Sequence, residues 1–183
     1  MHPSGDVGTT LDAAVASVAI LIDEPERFRQ RAAAVAAELG TATIPELATR
    51  FHSPSSPEPT GFGVRERGMG GWLSAWQFAI FELLFHFGAA AVPLLRSVAF
   101  GEYDWIQGNA VEILIRLAAA GIDRQQTVSD LRRQLPVFRH EAILYAVGPV
   151  LTHAARDPAV TGVVSELDDL PEWRDAVREL QEE

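Results

Sequence analysis

Cysteine is absent from this chain, and so is lysine. Without cysteine there are no disulfides, thiolate nucleophiles, iron–sulfur clusters or cysteine-rich zinc sites. The same absence favours a cytoplasmic address. Without lysine, all 15 basic residues are arginine, which excludes a Schiff-base lysine and a phosphate-loop lysine. Alternating two-residue hydrophobicity bounded by hairpin turns is also missing, so no strand is expected. No run of about 18 apolar residues is expected to cross a membrane. The opening MHPSGDVGTT lacks the basic-then-apolar order of a secretory signal. The histidines, His2, His52, His86, His140 and His153, show no zinc-ligand spacing. The stretch GFGVRERG has glycines but neither a strand before it nor an immediate helix after it, as a phosphate cradle requires. The expected inventory is therefore no catalytic residue, no metal and no cofactor.

What the chain does contain is ordinary globular material: 48% hydrophobic and 22% charged residues over 183 positions, enough to bury a core without metal or disulfide help. The net charge is −10 and is unevenly placed. Residues 157–183 carry nine acids against Arg174 and Arg178, whereas residues 65–139 hold eight arginines and seven acids. Such a field repels nucleic acid and attracts a basic protein surface.

The stretch Ala91 to Gly121 organises the reading, because it resolves into two antiparallel helices closed by a short turn. Pro93 suits a first turn, where its missing N–H falls among donors that are unpaired anyway. Leu94, Leu95, Val98 and Ala99 follow at one-face spacing. Asp104 with Gln107 three residues on matches an N-terminal capping pattern, so the second helix is expected to start near Trp105. Along it, Ile106, Ala110, Ile113, Leu114 and Leu117 share one face, and Trp105, Asn109, Glu112 and Arg116 share another at i, i+4, i+7 and i+11. Gly121 supplies the left-handed stop.

Elsewhere, residues 1–9 are read as a disordered lead. Residues 10–51 form an N-terminal helical cap, with a restart at Glu24-Pro25, a stop at Gly40 and a short third helix near Pro45 that turns Leu47 and Phe51 inward. Residues 52–71 are a Pro/Ser/Gly-rich loop, read as a spacer, in which Arg65 and Arg67 could clamp an acidic partner. Residues 72–183 are read as helical repeats with an acidic end. They open with the most apolar segment, Trp72 to Phe87, as a central helix. They continue with a helix from Thr127, a long one from Phe138 in which Pro149 is expected to kink or interrupt the axis, one after Asp157-Pro158, and a last one after Pro171.

Three of these helices look like versions of one another, with Ala79, Ala110 and Ala142 in one column, 31 and 32 residues apart. Two helices per period of about thirty residues signal a solenoid. With AVPLL at Ala91 to Leu95, YDWIQGNAVEIL at Tyr103 to Leu114 and RHEAILYAV at Arg139 to Val147, the chain resembles the HEAT-like repeat family, the short bacterial form of the armadillo-type superhelix. The first repeat departs from the usual pattern, with Trp76 and Gln77 where arginine often falls. The resemblance implies an all-α fold, a right-handed α-α superhelix of helical hairpins, that binds partners along its second helices.

The expected partner-binding strip is Glu82, His86, Trp105, Asn109, Glu112, Arg116, Glu141 and Tyr145, a mixture of aromatic, carboxylate and guanidinium groups suited to hot-spot contacts. The bland alternative for Glu112 and Arg116 is a solvated i,i+4 pair. The resulting expectation is a non-catalytic protein-binding module, with an immunity-type role against a basic toxin as one instance and with no nucleic-acid or membrane partner. The competing expectation is an enzyme or small-ligand binder using Glu82, His86, Glu112 and Arg116 in a helical groove, where burial would mark a carboxylate for chemistry.

Overall fold

The computed structural model describes residues 6–54, 56–62 and 71–182, with backbone alone for residues 6–10. Among these residues the chain is all-helical and contains no strand, as its composition and periodicity lead one to expect. It divides into two compact units, Met1–Phe87 and Gly88–Glu183.

In the first unit, α1 (Asp6–Ala19) and α2 (Pro25–Leu39) pack on α4 (Gly71–His86), with the short α3 (Ile44–Ala48) between them in sequence. Proline opens α2 and α3 in their first turns, where a missing N–H costs nothing. Gly40 follows α2 at φ 71°, a conformation open to glycine without a Cβ penalty. Ten residues of α4 are buried, on every side of the helix. Trp76 and Phe81 are among the fully enclosed ones, each contributing on the order of 2 kcal/mol by removal from water. The helix therefore joins the N-terminal elements, although the loop before it suggested a boundary there.

The described part of that loop is anchored. Phe62 is buried and meets the edge of Trp72 at 4.9 Å between ring centroids, and Trp72 Nε1 donates to Ser56 O at 3.0 Å. The Arg65 and Arg67 clamp lies outside the described residues. Trp76 and Gln77, where a repeat would place arginine, serve a local purpose. Trp76 Nε1 donates to Arg50 O at 3.0 Å and Gln77 Nε2 to Phe51 O at 2.8 Å. They satisfy the carbonyls freed where α3 ends.

One expectation needs correction. The stretch Gly71–Ala99 is long and apolar enough to cross a membrane by composition, an 18-residue window within it having a mean hydropathy of 1.9. Over half of that window, 56%, is buried inside the protein, and a 3₁₀ turn at Gly88–Ala91 interrupts the stretch. Core packing of this kind accounts for its apolarity.

The second unit is built around α6 (Gln107–Ala119), against which α5 (Val92–Ala99), α7 (Arg124–Gln134), α8 (His140–Ala154) and α9 (Pro158–Val164) all pack, while α10 (Pro171–Glu182) lies on α8. Eleven of the thirteen α6 residues are buried. The helix begins at Gln107, two residues later than the capping pattern suggested. Asp104 Oδ1 accepts from the Ile106 N–H at 3.2 Å, but Gln107 reaches Ala99 O at 2.8 Å instead of folding back. Its end matches expectation. Gly121 has φ 84°, the Ile122 N–H bonds Leu117 O at 2.9 Å and the Gly121 N–H bonds Ala118 O at 3.0 Å, the paired closure of a left-handed stop.

Helix α7 starts at Arg124 rather than Thr127, and α8 runs through Pro149 to Ala154 without interruption. Asp157 caps α9 by accepting from the Ala159 N–H at 2.8 Å, as expected from the Asp-Pro pair. Arg132 of α7 clasps the α9–α10 connection with two parallel bonds to Asp169, at 2.5 and 2.6 Å, and a third to Glu166 O. The Arg132 hydrogen bond holds the Asp169 carboxyl below its usual range.

Candidate partner-binding face

The α6–α8 crossing is unusually close, and glycine is the reason. A Cβ on Gly108 would lie 2.7 Å from Tyr145 Cβ, 2.8 Å from Ala142 O and 2.9 Å from Ala146 N, distances that only a bare backbone allows. The crossing sets Gly108 of α6 directly against Ala142, Tyr145 and Ala146 of α8.

At this end of the unit the surface is aromatic. Tyr103, Trp105 and Tyr145 are 41%, 43% and 58% exposed, and Val137 is 76% exposed. These four are most of the large hydrophobic side chains that the described residues leave in water; the others are Ile20 and Phe78. The Arg139 guanidinium lies 4.1 Å from the centre of the Tyr103 ring, a cation–π contact. Tyr103 Oη also reaches Glu141 Oε2 at 3.4 Å. Beside Tyr103 and Val137 a groove of about 180 Å³ is bordered also by Phe100, Gln107, Phe138 and Arg139. That volume accepts one large side chain.

The structure divides the expected strip. Trp105, Glu141 and Tyr145 are exposed and Asn109 is half-buried. Glu112 and Arg116, by contrast, are only 5% and 8% exposed. They are not a solvated pair: Glu112 Oε1 accepts from Arg116 Nη1 at 3.2 Å and meets His153 Nε2 of α8 at 3.1 Å. The cause is the packing of α8 and α9 over the face of α6 that the hairpin taken alone leaves open. Glu82 and His86 belong to the other compact unit, where Glu82 is 5% exposed and its Oε1 lies 3.6 Å from His86 Nε2.

Sequence reasoning missed His153, Tyr103, Val137 and Arg139. The first is 41 residues from Glu112, and no local spacing could connect them. The other three stand in the turns before α6 and α8, where helical periodicity gives no signal. Among the described residues, no three His, Asp or Glu side chains gather as a metal site would require. The Glu112 carboxylate is engaged from two sides, by Arg116 of its own helix and by His153 of α8.

Comparison with known proteins finds no match, whether among protein-family models, curated proteins or solved structures.

Proposed function

We propose that the chain is a non-catalytic helical-repeat module that binds another protein through the aromatic end of the α6–α8 crossing. The observation that carries this reading is the exposure of Tyr103, Trp105, Val137 and Tyr145, with Tyr103 and Val137 bordering a groove of one-side-chain size. Aromatic anchors beside a pocket and flanked by both charge signs are the usual composition of a binding hot spot.

The favoured partner is basic. Glu166, Asp168, Asp169, Asp175, Glu179 and Glu182 are all exposed near the C-terminal end, and a field of that sign speeds encounter with a positive surface. Neutralising a basic toxin in the bacterial cytoplasm, as an immunity protein does, is one role of this kind. The HEAT-like superhelix with an N-terminal helical cap is the architectural half of the proposal. Its support is the burial of Ala79, Ala110 and Ala142 alike, together with α8 lying between α6 and α10 as successive second helices would.

Capture from the native host tests the binding reading with tagged wild type and a Trp105→Ala/Tyr145→Ala double variant. A basic protein should copurify with the wild type and weaken by about thirtyfold or more with the variant, the loss expected from removing a hot spot of about 2 kcal/mol or more. Thermal melts should remain alike, since both side chains stand in water. Equal capture by the two proteins would remove this face from consideration.

A further inference from the structure

The groove beside Tyr103 is bordered by a polar residue whose amide the fold uses only by half. Gln107 opens α6 at 4% exposure and contributes to the groove wall. Its Nε2 donates to Ala99 O at 2.8 Å, one of the carbonyls that a helix leaves without an internal donor at its end. That bond fixes the orientation of the amide, because only its NH₂ can serve a carbonyl. The amide oxygen is therefore turned away from Ala99, and nothing among the described residues donates to it. Nor is it sealed off: among those residues, the enclosed side-chain atoms that lack a partner belong to Arg96, Glu172 and Trp173. An acceptor held open on a buried residue forfeits a hydrogen bond unless a donor arrives from outside.

The remaining walls select what carries that donor. Phe100 and Phe138 stand 6.3 Å apart at their ring centroids, inclined at 45°, and the more exposed Tyr103 and Val137 complete the border. Such walls suit an aromatic ring, which packs favourably on the edges and faces of others. The Arg139 guanidinium, 4.1 Å from the centre of the Tyr103 ring, adds positive charge to the same border. It repels a lysine or arginine side chain, so the donor has to come on an uncharged group. An indole meets both demands, being an aromatic plane with one N–H and no acceptor of its own. A phenol brings an acceptor as well, and Gln107 Nε2 is already engaged with Ala99 O.

Size selects the source. At about 180 Å³ the groove is smaller than the roughly 300–1,000 Å³ of pockets that enclose a small molecule. It admits one ring and leaves the rest of any ligand in water, which suits a ring delivered by a larger partner.

We propose that this groove receives a tryptophan side chain of the partner protein, its indole N–H donating to Gln107 Oε1 and its ring packed on Phe100 and Phe138. The source of the ring rests on the partner-binding reading above; the groove's preference for a ring with a donor is tested without any partner.

The probes are the blocked tripeptide Ac-Gly-Trp-Gly-NH₂, the same peptide with 1-methyltryptophan, its phenylalanine analogue, and free tryptophan, each titrated into the full chain and followed by NMR chemical shifts. The tryptophan peptide should bind about tenfold more tightly than the 1-methyl and phenylalanine peptides, the worth of one well-placed hydrogen bond. Free tryptophan should bind no better than the blocked peptide. Gln107→Met keeps the length of the side chain and removes the acceptor, so the preference should vanish. Tyr103→Ala, at an exposed position, should weaken the tryptophan peptide about fivefold by removing one aromatic wall, and it carries the test should the thermal melt of Gln107→Met fall. Equal affinity of the tryptophan and 1-methyl peptides, no binding of the tryptophan peptide, a preference that survives in a folded Gln107→Met, or unchanged binding by Tyr103→Ala would each overturn the proposal. Tighter binding of free tryptophan would overturn the partner as its source. A peptide preference found while host capture yields no protein would support the groove's chemistry and count against the partner-binding reading; capture that depends on Trp105 and Tyr145 without any peptide preference would do the reverse.

Discussion

Glu112 shows at the scale of one residue how a helical position acquires its meaning. On an isolated helix its pairing with Arg116 four residues on is a surface contact worth a few tenths of a kcal/mol. With both side chains enclosed and His153 as a third member, removing one partner leaves charge stranded in a poorly solvating interior. Glu112→Ala should therefore destabilise the protein by about 3 kcal/mol, read as a lower urea midpoint with an unchanged slope. A loss below about 0.5 kcal/mol would mean the cluster behaves as an exposed pair. The i,i+4 spacing was legible in the sequence; the burial was not, because it depends on a histidine one helix away. Trp105 and Tyr145 were legible as large aromatics off the core stripe, and the structure leaves both in water.

Among the helices, the contact between α6 and α8 is set by the smallest residue in it. Gly108→Ala would improve helix propensity by up to about 1 kcal/mol in isolation. Here the new methyl would press on the Ala142 carbonyl, the Ala146 amide and Tyr145 Cβ, none of which is a flexible side-chain end. Overpacking of that kind costs about 1–3 kcal/mol. The net result should be a destabilised protein, seen as a lower melting temperature by circular dichroism; a rise would show that the two helices can separate freely. Helix ends were the best-read feature of the chain. Prolines 25, 45, 93, 158 and 171 all fall in first turns, and Gly40 and Gly121 follow last turns at positive φ, because these residues act through their own backbone. Gln107 was misread for the converse reason: its side chain had a better acceptor in Ala99 O, eight residues away.

At the scale of the whole molecule, a net charge of −10 means that acid both relieves self-repulsion and removes specific carboxylate contacts. Asp169 belongs to the second effect. Its carboxyl titrates below the ordinary range when folded, so its contribution is present above the unfolded value near ~4 and is lost as pH falls through the folded one. The stability gap between wild type and Asp169→Asn should accordingly be constant near neutrality and close below about pH 4, as followed by urea unfolding across pH. A gap that persists or widens in acid would show that the clasp on Arg132 does not titrate as described. What the sequence settled alone was the class of structure: helices only, their approximate limits, and an acid-rich terminus with neither lysine nor cysteine chemistry. These follow from backbone preferences and composition, which each residue carries with it. Tertiary structure alone decided that α4 belongs with α1 and α2, that Glu112 and Arg116 are enclosed, and that Tyr103, Trp105 and Tyr145 are left in water. Exposure and proximity are properties of pairs of elements, and a 3.6-residue period specifies which face of a helix is apolar without specifying what will cover it.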